Sequence, residues 1–239
     1  MPRIRAIIFD CYSTLIDIKT NESKEEIFHN LSLYLQYYGV KINAEKLRTA
    51  LAAEKGKFLS SRGETYGETD IEVVFGNILK KERLNNPFLA ESCCRLMRVL
   101  SREKFHLFPD SIPVLEEMKQ KGYPLGIVSD AQKVFCLAEG EMLGLNRFFN
   151  CIVMSTQFGF RKPDPRLFTI ACTLLGIPPM ESVYIGDDPE TDVKGAQRVR
   201  MQTILLDREK RNEDRQPKPD FYAKNLWEVW NWIKGNIQT

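Results

Sequence analysis

Five short apolar runs separated by stretches of helical periodicity set the architecture of this chain. The first, Ala6-Ile-Ile-Phe9, is entered from Arg5 and closed by Asp10, and four consecutive apolar residues read as a strand buried on both faces. Similar runs recur at Tyr123-Pro-Leu-Gly-Ile-Val128, Cys151-Ile-Val-Met154, Val183-Tyr-Ile185 and Thr203-Ile-Leu-Leu206. Between them Val114, Leu115 and Met118, then Val134, Leu137 and Leu143, then Leu167, Ile170 and Leu174 fall at helical spacing. Asp110 and Asp164 stand where N-caps belong, Pro165 at a first helical position, and Gly122 and Gly144 at helix ends. Strands alternating with helices imply right-handed βαβ crossovers, so the fold class is α/β with a parallel sheet. The charged segment 207–220 reads as a surface loop, and Leu226, Val229, Trp230 and Ile233 as an amphipathic helix that packs back on the sheet.

One long segment breaks this rhythm. Ile27, Leu31, Tyr34, Leu35 and Tyr38 make a helix face ending at Gly39; Asn43 opens a second helix carrying Leu47, Leu51 and Phe58. A third helix runs from about Thr69 to Leu84 and a fourth follows Pro87, with no strand pattern across residues 18–104. The division expected is a sheet-based core of residues 1–17 and 105–239 with a small all-helical insert, 18–104, and hinges near Asp17 to Lys19 and Phe105 to Phe108.

Composition excludes several function classes. With 34 basic and 32 acidic residues interleaved, a net charge of +2 gives no footing for a nucleic-acid surface, so a small-molecule partner is expected. The six cysteines, at 11, 93, 94, 136, 151 and 172, form no Cys-x-x-Cys pair and read as reduced thiols that fill the core. No apolar run approaches the ~20 residues of a membrane span, and the first strand begins near Met1, so a cytoplasmic protein is expected. The aromatic last helix permits a monomer or a homodimer.

The polar residues at strand ends carry the chemistry. With two histidines, His29 and His106, both in or beside the helical insert, a Ser-His-Asp arrangement is hard to build, and no Gly-rich phosphate loop is present. What remains is Asp10, Ser129, Lys162, Asp187, Asp188 and Asp192. Singly each has a plain reading: Asp10 as a turn residue, Ser129 as a helix cap, Lys162 as an exposed loop residue, Asp187 as the cap before Pro189. Gathered beyond the strand ends, several carboxylates repel one another unless a cation compensates them, and an all-oxygen donor set suits Mg²⁺.

Asp10-x-x-x-Thr14, Ser129, Lys162-Pro163 and Gly186-Asp-Asp-Pro-Glu-Thr-Asp192 stand in the order of the four motifs of the haloacid dehalogenase (HAD) superfamily, and the chain resembles its members with a helical cap after the first motif. The resemblance spans nearly the whole chain and implies a Rossmann-like core acting through a covalent aspartyl intermediate. It makes Asp10 the nucleophile, Thr14 its orienting hydroxyl, Ser129 a donor to the substrate and Lys162 the neutralising cation. It assigns Mg²⁺ to Asp10, Asp187 and the main-chain carbonyl of Tyr12, with Asp192 and Asp188 around it.

One position departs from the phosphatases of the superfamily, which carry a second Asp two residues after the nucleophile to protonate the leaving alcohol. Here it is Tyr12, similar to the 2-haloacid dehalogenases, whose departing halide needs no proton. Those dehalogenases use no metal and lack an acidic fourth motif. Three readings follow. The favoured one is a Mg²⁺-dependent phosphohydrolase acting slowly, on substrates with good leaving groups, or with an acid from the cap such as Glu64 or His29. The others are a metal-independent dehalogenase-type hydrolase and a remnant that binds a phosphorylated ligand without turnover. In the cap, Ser60-Ser-Arg-Gly-Glu-Thr-Tyr66, with Arg62 and Tyr66, reads either as an interhelical connection or as a loop that meets the crevice.

Overall fold

The computed structural model describes residues 3–209 and 215–236. Part of the loop expected at 207–220 lies outside the described residues. The core sheet is parallel throughout, in the order β5 (Cys151–Met154), β4 (Leu125–Ser129), β1 (Ala6–Phe9), β6 (Ser182–Gly186), β7 (Gln202–Leu206) and β8 (Phe221–Ala223). All five expected strands are present. The sixth, β8, follows the charged loop; three residues, two of them half-buried, carry too little apolar pattern to announce a strand.

β1 is fully buried and pairs with β4 on one side and β6 on the other, with Phe9 opposite both Ile127 and Ile185. The chain order reverses direction here, and ligands of open α/β sheets bind at such a switch point. Asp10, Ser129 and Asp187 therefore emerge from three adjacent strand ends. Ile7, Phe9, Val183 and Trp230 belong to the apolar layer on one face of the sheet, and Ile8, Val128, Phe168 and Tyr184 to the layer on the other.

The insert contains α1 (Glu25–Tyr37), α2 (Ala44–Arg62), α3 (Ile71–Lys81) and α4 (Pro87–Ser101), packed around Ile27, Leu31, Leu47, Val74, Phe75 and Cys93. Asn43, Asp70 and Asn86 cap the last three with their side chains. The absence of strand expected across 18–104 does not hold at its edges. β2 (Ile16–Thr20) and β3 (Arg102–Leu107) pair antiparallel as a two-stranded ribbon through which the chain enters and leaves the helices. Its residues are mostly half-exposed and polar, so the apolar alternation that marks a strand is faint. The stretch Ser60 to Arg62 finishes α2, which leaves residues 63–70 as the connection to α3.

The remaining helices are α5 (Ser111–Gln120), α6 (Lys133–Met142), α7 (Ser155–Phe158), α8 (Pro165–Leu175), α9 (Lys194–Arg198) and α10 (Leu226–Gly235). Asp164 caps α8 as expected. Asp110, at the N-cap position of α5, makes no capping bond there. Its carboxylate instead accepts from the Leu226 amide at 2.7 Å and from the Arg208 guanidinium at 2.9 and 3.1 Å, joining α10 and the segment after β7 to the ribbon end. A charged partner and an otherwise orphaned helix amide together outweigh one local cap.

Candidate active site

The turn after β1 carries the expected nucleophile. Asp10 is 5% exposed, and its amide donates to the Ile185 carbonyl at 2.8 Å, which ties it to the end of β6. Ser13 adopts a left-handed φ of 65° in the turn that follows, a strained conformation for a residue with a Cβ.

Lys162 reaches this turn from the loop before α8. Its ammonium, 4% exposed, donates to Asp10 Oδ1 at 2.7 Å, to Asp192 Oδ1 at 2.6 Å and to the Tyr184 hydroxyl at 3.3 Å. Burial alone would depress its pKa, but Asp10 and Asp192 outweigh that and hold the ammonium well above its ordinary range. Its main-chain amide donates to Asp130 Oδ1 at 2.8 Å, which fixes the loop against the end of β4.

Asp192 organises the fourth motif. Its Oδ2 accepts from the Asp187 and Asp188 amides, both at 3.0 Å, while Oδ1 takes Lys162 and the Tyr184 hydroxyl. The turn can close this tightly only because position 186 is glycine: a Cβ there would stand 2.3 Å from the Asp192 carboxyl carbon. Oxygens of Asp10, Asp187 and Asp192 lie within 4.8 Å of one another. Burial, with Asp10 and Asp192 beside it, pushes the Asp187 carboxyl up to about 8. Burial raises Asp10 as well, against the opposing pull of Lys162. Three carboxylates crowd together with Lys162 paired to two of them, and the donors are all oxygen. That set fits a hard divalent cation such as Mg²⁺.

Ser129, 1% exposed, ends β4 beside β1, so the structure brings Asp10, Ser129, Lys162, Asp187 and Asp192 to one crevice. Two expectations need correction. Among the described residues the buried Thr14 Oγ1 has no hydrogen-bond partner, so the orienting contact with Asp10 is not made; the turn directs the Thr14 carbonyl instead to Arg208 at 3.4 Å. The Asp188 carboxylate lies outside the acidic cluster: its Oδ1 accepts from the Glu190 amide at 2.7 Å and stands 3.6 Å from Arg215. Pro189 makes it a helix-start cap, the role that the sequence allowed for its neighbour Asp187.

The Tyr12 side chain turns to the interface with the cap. Its hydroxyl donates to Glu139 on α6, Arg98 from α4 forks onto the same carboxylate at 2.8 and 2.9 Å, and the guanidinium stands over the Tyr12 ring at 5.0 Å. Burial, with Cys136 and Glu139 nearby, drives the phenol pKa far above its usual value. Cys11 is likewise raised, first by its contact with Cys136 and then by burial, so it is no reactive thiol.

Neither cap acid named from the sequence enters the crevice. Glu64 is held outside by Arg166 at 2.6 Å, and His29 lines a separate cavity on α1 with Glu25 and Arg48. The connection 63–70 does meet the core: the Arg161 amide donates to the Tyr66 carbonyl at 2.8 Å, the Glu68 amide to the Gly159 carbonyl at 3.0 Å, and Ser155 Oγ to Glu68 at 2.7 Å. Glu68 is thus a cap carboxylate bonded to the core beside the catalytic loop. It adds to the burial that lifts Asp130 to about 6.

Sequence reasoning missed Asp130, Tyr184, Glu68 and the Arg98–Glu139 pair. Signals existed for two of them. Tyr184 places a hydroxyl inside an apolar strand, where it must find partners, and Arg98 follows the buried stripe Cys94, Met97 on α4.

A family model described as haloacid dehalogenase-like hydrolase matches residues 4–200. Among characterised proteins, the glyceraldehyde 3-phosphate phosphatase of Methanopyrus kandleri is 37% identical over 120 residues, 48% of this chain and 51% of that protein. The phosphoserine phosphatase of Thermus thermophilus is 31% identical over 129 residues, 54% and 52% of the two chains. The chain thus spans about half the length of these relatives. A 2-haloacid dehalogenase from Pseudomonas syringae pv. Tomato DC3000 superposes with a TM-score of 0.75 at 22% identity, covering 97% of this chain and 98% of that one, a likeness of fold. With its motifs assembled at one sheet edge and the model matched over most of its length, the chain belongs to the haloacid dehalogenase-like hydrolases.

Proposed function

We propose that the protein is a Mg²⁺-dependent phosphohydrolase for a small phosphorylated metabolite, working through an aspartyl-phosphate on Asp10. The observation that carries this reading is the all-oxygen cluster of Asp10, Asp187 and Asp192 with Lys162 wedged between two of its members. Asp10, Asp187 and the Tyr12 carbonyl would hold the cation, with Asp192 bracing the turn that presents Asp187. When bound, the cation neutralises the carboxylates and the charge on the transferring phosphoryl group. The division of labour is a core of 1–17 and 105–239 that does the chemistry and a cap of 18–104 that selects the substrate.

In this mechanism Asp10 attacks phosphorus, the bond from phosphorus to the ester oxygen breaks, and water later attacks the aspartyl-phosphate to release phosphate. Lys162 holds Asp10 ionised and oriented, and Ser129 donates to a non-bridging oxygen. Tyr12 contributes no acid, because its hydroxyl proton is committed to Glu139. Substrates whose leaving group departs without a proton, such as acyl or aryl phosphates, suit this site best.

The tyrosine also favours a second reading, a metal-independent hydrolase that attacks carbon, with Asp187 neutral in place of a cation. An aryl phosphate and a short 2-halo acid, each assayed with Mg²⁺ and with chelator, separate the two. Phosphate release lost on chelation supports the first reading, and halide release indifferent to chelator replaces it with the second. Silence in both, with Mg²⁺ still bound, leaves the non-catalytic binder. Asp10→Asn abolishes turnover on either catalytic reading; full activity in that variant would end both.

A further inference from the structure

At the opposite end of the strands from Asp10 a cavity of about 690 Å³ opens among the residues that lead into β1 and β4. Its lining includes Arg3, Arg5, Lys121 and Lys234 and no carboxylate. Arg5 is neutralised by Glu181 at 2.7 Å, whereas Arg3, Lys121 and Lys234 are exposed and enter no ion pair among the described residues. Glu117 of α5 accepts from the Trp230 indole N–H at 2.6 Å and keeps its negative charge behind that ring, outside the lining itself. Lys234 stands 5.3 Å from the Trp230 ring, which packs edge-on against Tyr123 at 5.8 Å, so aromatic rings lie between the cations.

In a chain whose charges otherwise interleave to a net +2, three cations that enter no ion pair among the described residues gather around one concavity, a local excess of positive charge in its lining. Solvent and salt screen these exposed cations, but the cavity walls focus their field, and an anion that reaches more than one of them gains from each. A single carboxylate offers one charge, whereas a chain of two or three phosphates carries several along its length and can meet more than one cation. β1 and β4 run from this cavity to Asp10 and Ser129, so at the rise of a strand the two sites are ~15 Å apart.

We propose that the cavity between Arg3, Lys121 and Lys234 is a second ligand site, separate from the catalytic crevice, for the di- or triphosphate group of a small molecule. Its occupant does not pass through the chemistry at Asp10, so the site stands independently of the hydrolase reading.

The test follows backbone amide shifts of the full chain, in chelator, on titration with tripolyphosphate and separately with ATP. Saturable shifts at Lys121, Gly122, Tyr123 and Lys234 are expected, weakened at least ~10-fold in Lys121→Glu/Lys234→Glu, with hydrolytic activity unchanged. Tighter binding of ATP assigns a nucleotide as the source and equal binding the phosphate chain alone; either upholds the site. Shifts confined to the amides around Asp10, Ser129 and Lys162 would overturn it. So would equal shifts with sulfate at matched ionic strength, or undiminished binding in the double variant.

Discussion

The Tyr12 hydroxyl donates a 2.5 Å hydrogen bond to Glu139, and through Arg98 on the same carboxylate the residue two positions after Asp10 is joined to the cap. A polar side chain at the catalytic turn therefore serves the contact between cap and core, and the acid expected of a phosphatase at this position has no counterpart there.

Leaving-group dependence follows. Wild-type protein should turn over aryl phosphates far better than alkyl phosphates, and Tyr12→Asp should narrow that gap by ~10-fold or more by restoring a proton donor. Steady-state kcat/KM for the two ester classes measures it; an unchanged ratio would show that position 12 does not govern protonation.

Arg98→Met removes the cation from a carboxylate that is 8% exposed. An uncompensated buried charge costs about 3–5 kcal/mol, so denaturant unfolding should shift by that order. The double variant Arg98→Met/Glu139→Gln should recover part of the loss. No recovery would mean that Arg98 acts through packing alone.

Asp187 fixes the sign of a pH dependence. Its folded pKa of about 8 exceeds the ordinary carboxylate value of 3.8, so between these the folded state holds the extra proton and metal-free stability falls as pH rises. Mg²⁺ competes with that proton, so its affinity should fall as pH drops from about 9 to about 6. Melting curves in chelator and calorimetric Mg²⁺ titrations read both slopes, and Asp187→Asn should flatten the first.

Gly186→Ala places a methyl group 2.3 Å from the Asp192 carboxyl carbon. Asp192 must withdraw from Lys162 and from the two amides it holds, and turnover should drop ~10²-fold while the melting curve stays cooperative. Activity within twofold of wild type would remove Asp192 from the catalytic arrangement.

Asp110→Ala strands the Leu226 amide and frees Arg208. Loss of one buried charged acceptor should cost about 1–3 kcal/mol in denaturant unfolding, with kcat unchanged. A loss of only a few tenths would return Asp110 to the role of a surface turn residue.

What the sequence determined by itself was the order of elements and the polar residue at each strand end. Apolar runs such as Ala6–Phe9 and Leu125–Val128 are buried on both faces, so local composition alone fixed them as strands and left Asp10 and Ser129 at their ends. Its weak points were elements too short or too polar to show an apolar pattern, the ribbon Ile16–Thr20 with Arg102–Leu107, whose side chains are mostly half-exposed, and the three-residue edge strand Phe221–Ala223. Only tertiary structure decided which polar groups meet. Asp187 and Asp188 are adjacent and chemically identical, yet one enters the acidic cluster and the other caps a helix. Tyr12 and Glu139 lie 127 residues apart and bond directly. Periodicity reports which face of an element is dry, whereas a hydrogen bond depends on the relative placement of two elements to within an ångström or so, and that is set by the packing of the whole core.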